Sequence, residues 1–214
     1  MSASKKSSGT LGLQAGEEVR VAGGCETSEA RIRRAAGVDR QGRAVYLRPA
    51  QLSDGVAIWR WRQDMDPAFA RAPRSPSLDE NMRWISAALQ DPDRFLYILE
   101  EGETEDGEGA AAGGGAGNGD QPPGRPLGHI RLDRVGENAM VSIILAPEER
   151  GRGLGRVVLK SIESSAMESG FHTILAEIHI SNIASLRTFL AAGYVETGMR
   201  GDFAQLSREI LQTG

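Results

Sequence analysis

The sequence of 214 residues predicts an α/β domain with a mixed, mostly antiparallel central sheet flanked by helices. Short β-rich runs alternate with segments in which apolar residues recur every three or four positions. The candidate elements follow the order β-α-α-β-β-β-α-β-α-β, with no internal repeat. About 145 residues remain when a polar head and a glycine-rich insertion are set aside, which is the size of one ordinary domain.

Composition divides the chain into three parts. Residues 1–43 are polar and rich in glycine, which is typical of a mostly disordered extension. Residues 44–214 form the predicted single domain. Residues 101–126 interrupt it with 9 glycines and 6 acidic residues. We expect this segment to be a flexible insertion at the tip of a hairpin, where added length costs little.

The first half of the domain predicts two strands around two helices. Residues 44–48 alternate and stop at Pro49, which indicates a short strand. Ser53 is the expected N-cap of a first helix. Ser77 and Glu80 have the spacing of a capping box ahead of a second helix. Residues 95–99 form a continuous apolar run that predicts a buried strand, with residues 127–133 as its hairpin partner.

The second half predicts a strand over residues 139–145 and then a long helix. Apolar residues spaced by four define this helix, which ends at Gly170. Residues 173–180 alternate as a strand, and a short helix over residues 183–192 ends at Gly193. A further strand begins at Tyr194, and the pattern that follows allows either a helix or a strand.

Composition excludes several function classes. A net charge of −4 and no basic stripe speak against a nucleic-acid partner. A single cysteine, Cys25, excludes a disulfide framework, and the three histidines lack metal-ligand spacing, so we expect no metal site. No apolar run reaches the ~18 residues of a membrane span, and no secretory signal is visible. We therefore expect a cytoplasmic protein; the sequence leaves monomer and homodimer open.

The most informative stretch is a strand that runs into a glycine-rich turn and then into a helix. The first turn of a helix has unpaired N–H groups at the positive end of its dipole, and glycines let a phosphate approach them. The turn has neither a G-x-G-x-x-G nor a Gly-Lys-Ser/Thr pattern. A glycine-rich connection with solvated arginines is the plainer interpretation.

This stretch resembles a motif of the GNAT superfamily of acetyl-CoA-dependent N-acetyltransferases. Residues 150–155, Arg-Gly-Arg-Gly-Leu-Gly, match the family pattern Q/R-x-x-G-x-G/A. The stretch from Glu177 through Asn182 to Ser185, with Phe189 and Tyr194 after it, is similar to a second family pattern. The resemblance covers residues 45–197 in element order.

The resemblance implies acetyl-CoA as co-substrate. The end of the strand would pair with the pantetheine amides, the glycine turn would hold the pyrophosphate through its backbone, and an asparagine would bind the pantetheine arm. The implied cofactor-binding residues are Ile143, Ile144, Leu145, Arg150, Gly151, Arg152, Gly153, Leu154, Gly155, Arg156 and Asn182. Asn182 is equally a candidate N-cap of the following helix.

Glu177 is the first candidate general base, because ribosomal-protein acetyltransferases of this superfamily place a carboxylate five residues before the matching asparagine. His179 is the second, since it lies on the same face of the strand. A solvent-facing glutamate and a structural histidine are the plainer interpretations. Phe189 stands where many members have a tyrosine that protonates the thiolate, which leaves the general acid open. Tyr194 is expected in the core, and Tyr97 has no assigned role.

The acceptor is predicted to be a small-molecule amine. Residues 47–85 are similar to the branch that acetylates nucleotide-linked amino sugars of the pseudaminic-acid type, although Gln63 and Asn81 depart from its pattern. Several side chains are candidates to meet an acceptor's phosphates or to stack on its rings, namely Arg62, Arg71, Arg74, Arg83, Trp59, Trp61 and Trp84. Because Trp59 and Trp61 cannot share a helix face, one of them is expected in the core. Acetylation of a protein N-terminus or a ribosomal protein is the alternative activity, and a non-catalytic acyl-CoA-binding domain is a third hypothesis.

Overall fold

The computed structural model describes residues 33–70, 74–102 and 124–210. Its strands are β1 (Arg34–Val38), β2 (Ala44–Pro49), β3 (Arg94–Glu101), β4 (Arg125–Val135), β5 (Asn138–Leu145), β6 (Thr173–His179), β7 (Val195–Arg200) and β8 (Phe203–Glu209). Its helices are α1 (Gly55–Gln63), α2 (Pro67–Ala70), α3 (Leu78–Ala88), α4 (Leu154–Glu168) and α5 (Ile183–Ala191).

The eight strands form one sheet in the order β1-β2-β3-β4-β5-β6-β8-β7. Every neighbouring pair is antiparallel except β5 and β6, which run parallel. The predicted fold class is therefore confirmed. The parallel pair arises because α4 connects β5 to β6 and returns the chain to the same end of the sheet.

Helices cover both faces of the sheet, and each face has its own core. The helices α4 and α5 cover one face, where Leu159, Ile162 and Ile174 are fully buried. The other face carries α1 and α3, with Ile58 and Ile85 fully buried. Burying each such side chain contributes about 1.5–3 kcal/mol. The two layers hold the middle of the sheet rigid, which is a suitable platform for a site.

Local capping signals are confirmed at two helices and wrong at one. Ser77 Oγ accepts the N–H of Glu80, whose carboxylate accepts the N–H of Ser77, so the capping box begins α3 as predicted. Gly193 has a φ of +89° and follows the end of α5. Ser53, however, does not cap α1, because a single 3-10 turn over Leu52–Asp54 precedes that helix.

The folded part of the chain begins before residue 44, which corrects the boundary predicted for the N-terminal extension. β1 pairs with β2 through a turn in which Asp39 Oδ1 accepts the N–H groups of Gln41 and Arg43. Gly42 closes this turn with a φ of +79°. The strand was missed because its residues are mostly exposed and lack an alternating apolar pattern. The rest of the extension lies outside the described residues.

The insertion predicted over residues 101–126 lies between the two strands of a hairpin, but its bounds were too wide, because residue 101 belongs to β3 and residues 125–126 to β4. Glu101, in the last position of β3, pairs with Arg125, in the first position of β4. Residues 103–123, which connect them, lie outside the described residues. None of the described helices is long and apolar enough to cross a membrane.

Candidate functional site

The parallel strands β5 and β6 separate part of the way along the sheet. They pair only at residues 138–140 and 173–175, although β5 continues to Leu145 and β6 to His179. The opposite edge of β5 stays paired with β4 as far as Leu145. Among the described strands, the last residues of β5 therefore have no partner on one backbone edge, and an extended ligand can add to such an edge. We call the gap between residues 141–145 and 176–179 the β5–β6 opening.

The three predicted strand-end residues lie at this opening with their side chains directed into the two cores. Ile143 and Leu145 pack against the core under α4, and Ile144 packs against the core under α1 and α3. Because their side chains are occupied in this way, the backbone is the part that faces a ligand. This arrangement suits the predicted contact with the amides of a pantetheine arm.

The predicted phosphate-binding turn follows β5 after one 3-10 turn over Pro147–Glu149, and we call residues 150–156 the glycine loop. Gly151 and Gly153 have φ values of +80° and +83°, which side chains rarely adopt. Gly153 is the N-cap of α4 and provides no side-chain cap. The first N–H groups of α4 are therefore left for a ligand at the positive end of the helix dipole. Leu154 is buried beneath the loop, and Gly155 lies against Thr188 of α5.

Arg152 is the exception within the glycine loop, because its side chain is only 8% exposed and is held by carboxylates. Its Nε donates to Asp39 Oδ2 at 2.9 Å, and Nη2 donates to Glu101 at 3.0 Å. Its Nη1 also donates to Glu149. The guanidinium is therefore engaged in a structural ion network, and only the backbone of Arg152 remains for the predicted pyrophosphate contact.

The same network joins the loop to the base of the insertion. Arg125 donates to both Glu101 and Glu149. Burial raises the pKa of Asp39, but hydrogen bonds from Arg43, Arg152 and Gln41 outweigh it and lower that pKa to about 2. The carboxylates of the network are therefore ionised at neutral pH, and they hold Arg152 in place.

Arg40, which the sequence analysis did not predict as a site residue, is a cation beside the glycine loop. Its N–H donates to the carbonyl of Arg152 at 3.0 Å, and its Nη1 donates to the carbonyl of Gly151 at 3.3 Å. A Cβ at Gly153 would come within 2.9 Å of Arg40 Cγ. Arg150 and Arg156 are also exposed, and none of the three forms an ion pair within the described part of the chain. Residues 39–42, Asp-Arg-Gln-Gly, have a composition typical of a tight turn, and this pattern could have indicated the hairpin tip.

Glu177 and His179 lie on β6 and face away from the α4 core, so the structure brings both candidate bases to the same face of the sheet. The Glu177 side chain is 12% exposed; its Oε1 accepts Gln205 Nε2 at 3.3 Å and lies 3.6 Å from Arg200 Nη1. His179 Nδ1 lies 2.8 Å from Ser181 Oγ, and its ring contacts those of Phe69 and Phe203. The structure therefore places a mostly buried carboxylate at the opening.

Asn182 is the N-cap of α5, which confirms one of its two predicted roles. Its Oδ1 accepts the N–H of Ser185 at 3.1 Å. The amide nitrogen of the same side chain forms no hydrogen bond to the described residues. It therefore stays available to a ligand at the end of β6.

The general acid that the sequence left open is not supplied by Tyr97 or Tyr194. Phe189 and Tyr194 are buried against each other, with ring centroids 4.9 Å apart, so Tyr194 is a core residue as expected. Burial raises the pKa of Tyr194. Tyr97 lies beside Ser165, near the end of α4 that is remote from the glycine loop. The described residues thus offer no tyrosine hydroxyl at the opening.

The predicted acceptor-binding residues separate into three groups. Trp61 is buried in the core, while Trp59 is half-buried and donates its Nε1 to the carbonyl of Pro76. Arg74 is exposed and paired with Glu80, and Arg71 lies outside the described residues. Arg83 is exposed. Arg62 lies over the ring of Trp84, on the face of the sheet that carries Glu177. No group of three His, Cys, Asp or Glu side chains within the described residues is arranged to hold a metal ion.

Comparison with known protein families gives a match over most of the described chain. Residues 44–195 match the family described as "Acetyltransferase (GNAT) domain". The match includes the glycine loop, the β5–β6 opening, Glu177 and Asn182. It begins after β1, so Arg40 lies outside it.

Solved structures with the same fold include three with TM-scores near 0.6. A spermidine N-acetyltransferase from Vibrio cholerae, in complex with CoA and spermine, has a TM-score of 0.63 at 16% identity, covering 78% of this chain and 95% of its own. The GNAT domain of S. lividans PAT has a TM-score of 0.61 at 19% identity, with 86% and 98% covered. A domain from Methanocaldococcus jannaschii has a TM-score of 0.60 at 16% identity, with 77% and 97% covered. At these identities the likeness concerns the fold.

Proposed function

This chain belongs to the GNAT acetyltransferase family, and on that premise we propose that it transfers the acetyl group of acetyl-CoA to a primary amine at the β5–β6 opening. The observation that carries the proposal is the position of this opening next to the glycine loop. A strand edge without a partner and the uncapped first turn of α4 follow each other within ten residues of chain. An extended pantetheine arm and its pyrophosphate require these two features in the same order.

We propose that acetyl-CoA lies along β5 and over the glycine loop. The pantetheine amides pair with the free backbone edge of Ile143–Leu145, and Asn182 donates its amide nitrogen to the same arm. The pyrophosphate lies against the N–H groups of the glycine loop. Arg40, Arg150 and Arg156 supply three exposed cations around it, whereas Arg152 acts through its backbone and holds the loop in shape.

Acetyl transfer needs a neutral amine, and we assign the removal of its proton to Glu177. The amine nitrogen then attacks the thioester carbonyl, a C–N bond forms, the C–S bond breaks, and CoA leaves as a thiolate. A free N–H on the β5 edge is the donor available to the oxyanion. Because thiolate is a good leaving group, the reaction proceeds without a tyrosine at position 189. His179 is the alternative base, two residues further along the same face.

Three acceptor classes are compatible with this site. The likeness of residues 47–85 to the amino-sugar branch supports a nucleotide-linked amino sugar, and we keep this as the first acceptor hypothesis. A protein N-terminus or a ribosomal protein is the second. The fold likeness to a spermidine N-acetyltransferase adds polyamines as a third class to be tested. The proposal includes the cytoplasmic location expected from the sequence and does not depend on the oligomeric state.

The test is thiol release from acetyl-CoA with one amine from each class: a nucleotide-linked amino sugar, a peptide with a free N-terminus, and spermidine. We expect at least one amine to raise the rate well above that of hydrolysis alone. Acetyl-CoA binding is measured in parallel by calorimetry. Tight binding without stimulation by any amine would favour the non-catalytic acyl-CoA-binding domain instead.

A further inference from the structure

Two arginines flank one tryptophan on the face of the sheet that carries Glu177. The Arg62 guanidinium carbon, on α1, lies 5.2 Å from the ring centroid of Trp84, on α3. The guanidinium carbon of Arg131, on β4, lies 5.8 Å from the same ring. All three side chains are half-buried, so they are reachable from solvent but shielded from it. We call these three residues the Arg–Trp cluster.

Within the described residues, the two arginines of this cluster have one carboxylate partner between them. Arg62 Nη1 donates to the amide oxygen of Asn81 at 3.1 Å, and it has no carboxylate partner within the described residues. Arg131 pairs with Asp133 at 2.8 Å, but Asp133 also pairs with Arg94 at 2.6 Å. Asp133 is therefore shared by Arg131 and Arg94, although Arg94 also lies 4.0 Å from Asp91. Burial lowers the pKa of Arg62, and the charge of Arg131 lowers it further, although both groups stay protonated.

A buried histidine without partners lies beside the cluster. His129 is 3% exposed, and neither of its ring nitrogens has a hydrogen-bond partner within residues 33–70, 74–102 and 124–210. Its ring meets that of Trp84 edge-on, with centroids 6.1 Å apart. Burial, followed by the charges of Arg131 and Arg62, lowers the pKa of His129 to about 3. It is therefore a neutral imidazole with an unused donor and an unused acceptor.

The cluster lies within reach of the β5–β6 opening. Arg131 pairs in register with Ser142 of β5, and His129 pairs with Ile144. Their side chains and those of Glu177 and His179 point away from the α4 core, so they share one face of the sheet. β4 lies next to β5, about 4.8 Å away, and the β5–β6 opening lies on the other side of β5. The cluster and Glu177 therefore lie on opposite sides of β5 on one face of the sheet, where one substrate can span them.

We propose that the Arg–Trp cluster is an acceptor subsite that binds a phosphate group of the amine substrate. The arginines pair with the phosphate oxygens, and the Trp84 ring packs against the ring that carries them. A polycationic acceptor such as spermidine is repelled there, because the free charge of the subsite is positive. This inference rests on the proposed acetyl transfer and specifies its substrate as a phosphate-bearing amine.

The kinetic test compares glucosamine with glucosamine 6-phosphate, which differ only in the phosphate. For the wild-type chain we expect kcat/KM to be at least ~10-fold higher with the phosphorylated amine. A hydrogen bond to a charged group contributes about 1.5–3 kcal/mol, and 1.4 kcal/mol corresponds to a factor of ten. Arg62→Gln and Arg131→Gln should each reduce this preference to within about 3-fold while leaving the KM for acetyl-CoA unchanged. Arg60→Gln, an exposed change on the same helix as Arg62, should keep the wild-type preference.

The binding test measures glucosamine 6-phosphate by calorimetry on protein saturated with CoA, so that the glycine loop is already occupied and no turnover occurs. Weaker binding to Arg62→Gln, with Arg62→Lys retaining part of it, supports the subsite. Equal binding to wild type and Arg62→Gln, or a higher kcat/KM for spermidine than for glucosamine 6-phosphate, overturns it. CoA binding by each variant serves as the check on folding. If no amine is acetylated at all, the proposed function fails, but this binding test still decides the subsite.

Discussion

Asp39 and Arg152 form a buried ion pair that joins the β1–β2 hairpin to the glycine loop. Arg152 Nε donates to Asp39 Oδ2 at 2.9 Å, and the two residues are 113 positions apart in the chain. Asp39 also accepts the N–H groups of Gln41 and Arg43, so one carboxylate organises both the turn and the loop contact. The loop that is proposed to hold the pyrophosphate is therefore shaped by a segment outside the region matched by the family.

Asp39→Asn should weaken both stability and acetyl-CoA binding. The amide keeps the size of the side chain but removes the charge opposite Arg152, which retains Glu149 and Glu101 as partners. We expect a loss of about 1–3 kcal/mol in the free energy of unfolding. Urea unfolding and calorimetric titration with acetyl-CoA measure the two effects. Asp202→Asn, an exposed change of the same kind, is the control; unchanged acetyl-CoA affinity in Asp39→Asn would show that the hairpin does not shape the loop.

The pH dependence of stability should report the same ion pair. The pKa of Asp39 falls from 3.8 to about 2 on folding, so its contribution is fully present above about pH 4. That contribution is lost as the pH falls through about 2, because the carboxyl group then becomes protonated in the folded state too. The difference in unfolding free energy between wild type and Asp39→Asn should therefore shrink between pH 4 and pH 2. A difference that stays constant over this range would contradict the assignment.

Arg40→Ala should raise the KM for acetyl-CoA by about 3–10-fold with a smaller effect on kcat, since an exposed cation on a phosphate contributes about 1 kcal/mol. The effect should weaken at high salt and should be absent with S-acetyl-pantetheine, which lacks the pyrophosphate. Arg34→Ala is the matched control, because Arg34 lies on β1 but pairs with Glu168 at the far end of α4. Equal effects of both variants would mean that the hairpin is merely destabilised.

Local sequence patterns predicted most of the elements and the backbone of the site. The strand at residues 139–145, the glycine turn and α4 are contiguous, so their geometry follows from neighbouring residues alone. β1 was missed because its pairing with β2 depends on a turn and on a distant ion pair rather than on apolar periodicity. Arg152 was assigned to the ligand-binding loop, but its side chain is held by Asp39 and Glu101, which are more than 50 positions away, as well as by the nearby Glu149.

The residues proposed to bind the acceptor were likewise only partly predictable from the sequence. Trp84 and Arg62 were candidates from their residue types and from the resemblance of residues 47–85. Arg131 and His129 were not, because nothing in the sequence around β4 indicates that two strand residues lie against a helix far away in the chain. Their shared environment exists only once β4 is in the middle of the sheet with α1 and α3 over it.

Glu177→Gln should reduce kcat by at least ~10-fold and leave the affinity for acetyl-CoA near that of the wild type. The amide has the same shape and can still meet Gln205 and Arg200, but it cannot take the proton of the amine. Single-turnover thiol release with a saturating amine measures the chemical step, and calorimetry measures acetyl-CoA binding. Unchanged turnover would remove Glu177 as the base.

His179→Gln separates the two candidate bases. If Glu177 acts, His179→Gln should keep most of the activity, because the ring lies further along β6 among Phe69 and Phe203. Glu196→Gln is the charge-matched control, since Glu196 is exposed on β7. If Glu177→Gln keeps its activity and His179→Gln loses it, His179 becomes the base. If both variants lose activity by similar factors, turnover needs both side chains, and the removal of the proton is not assigned to Glu177 alone.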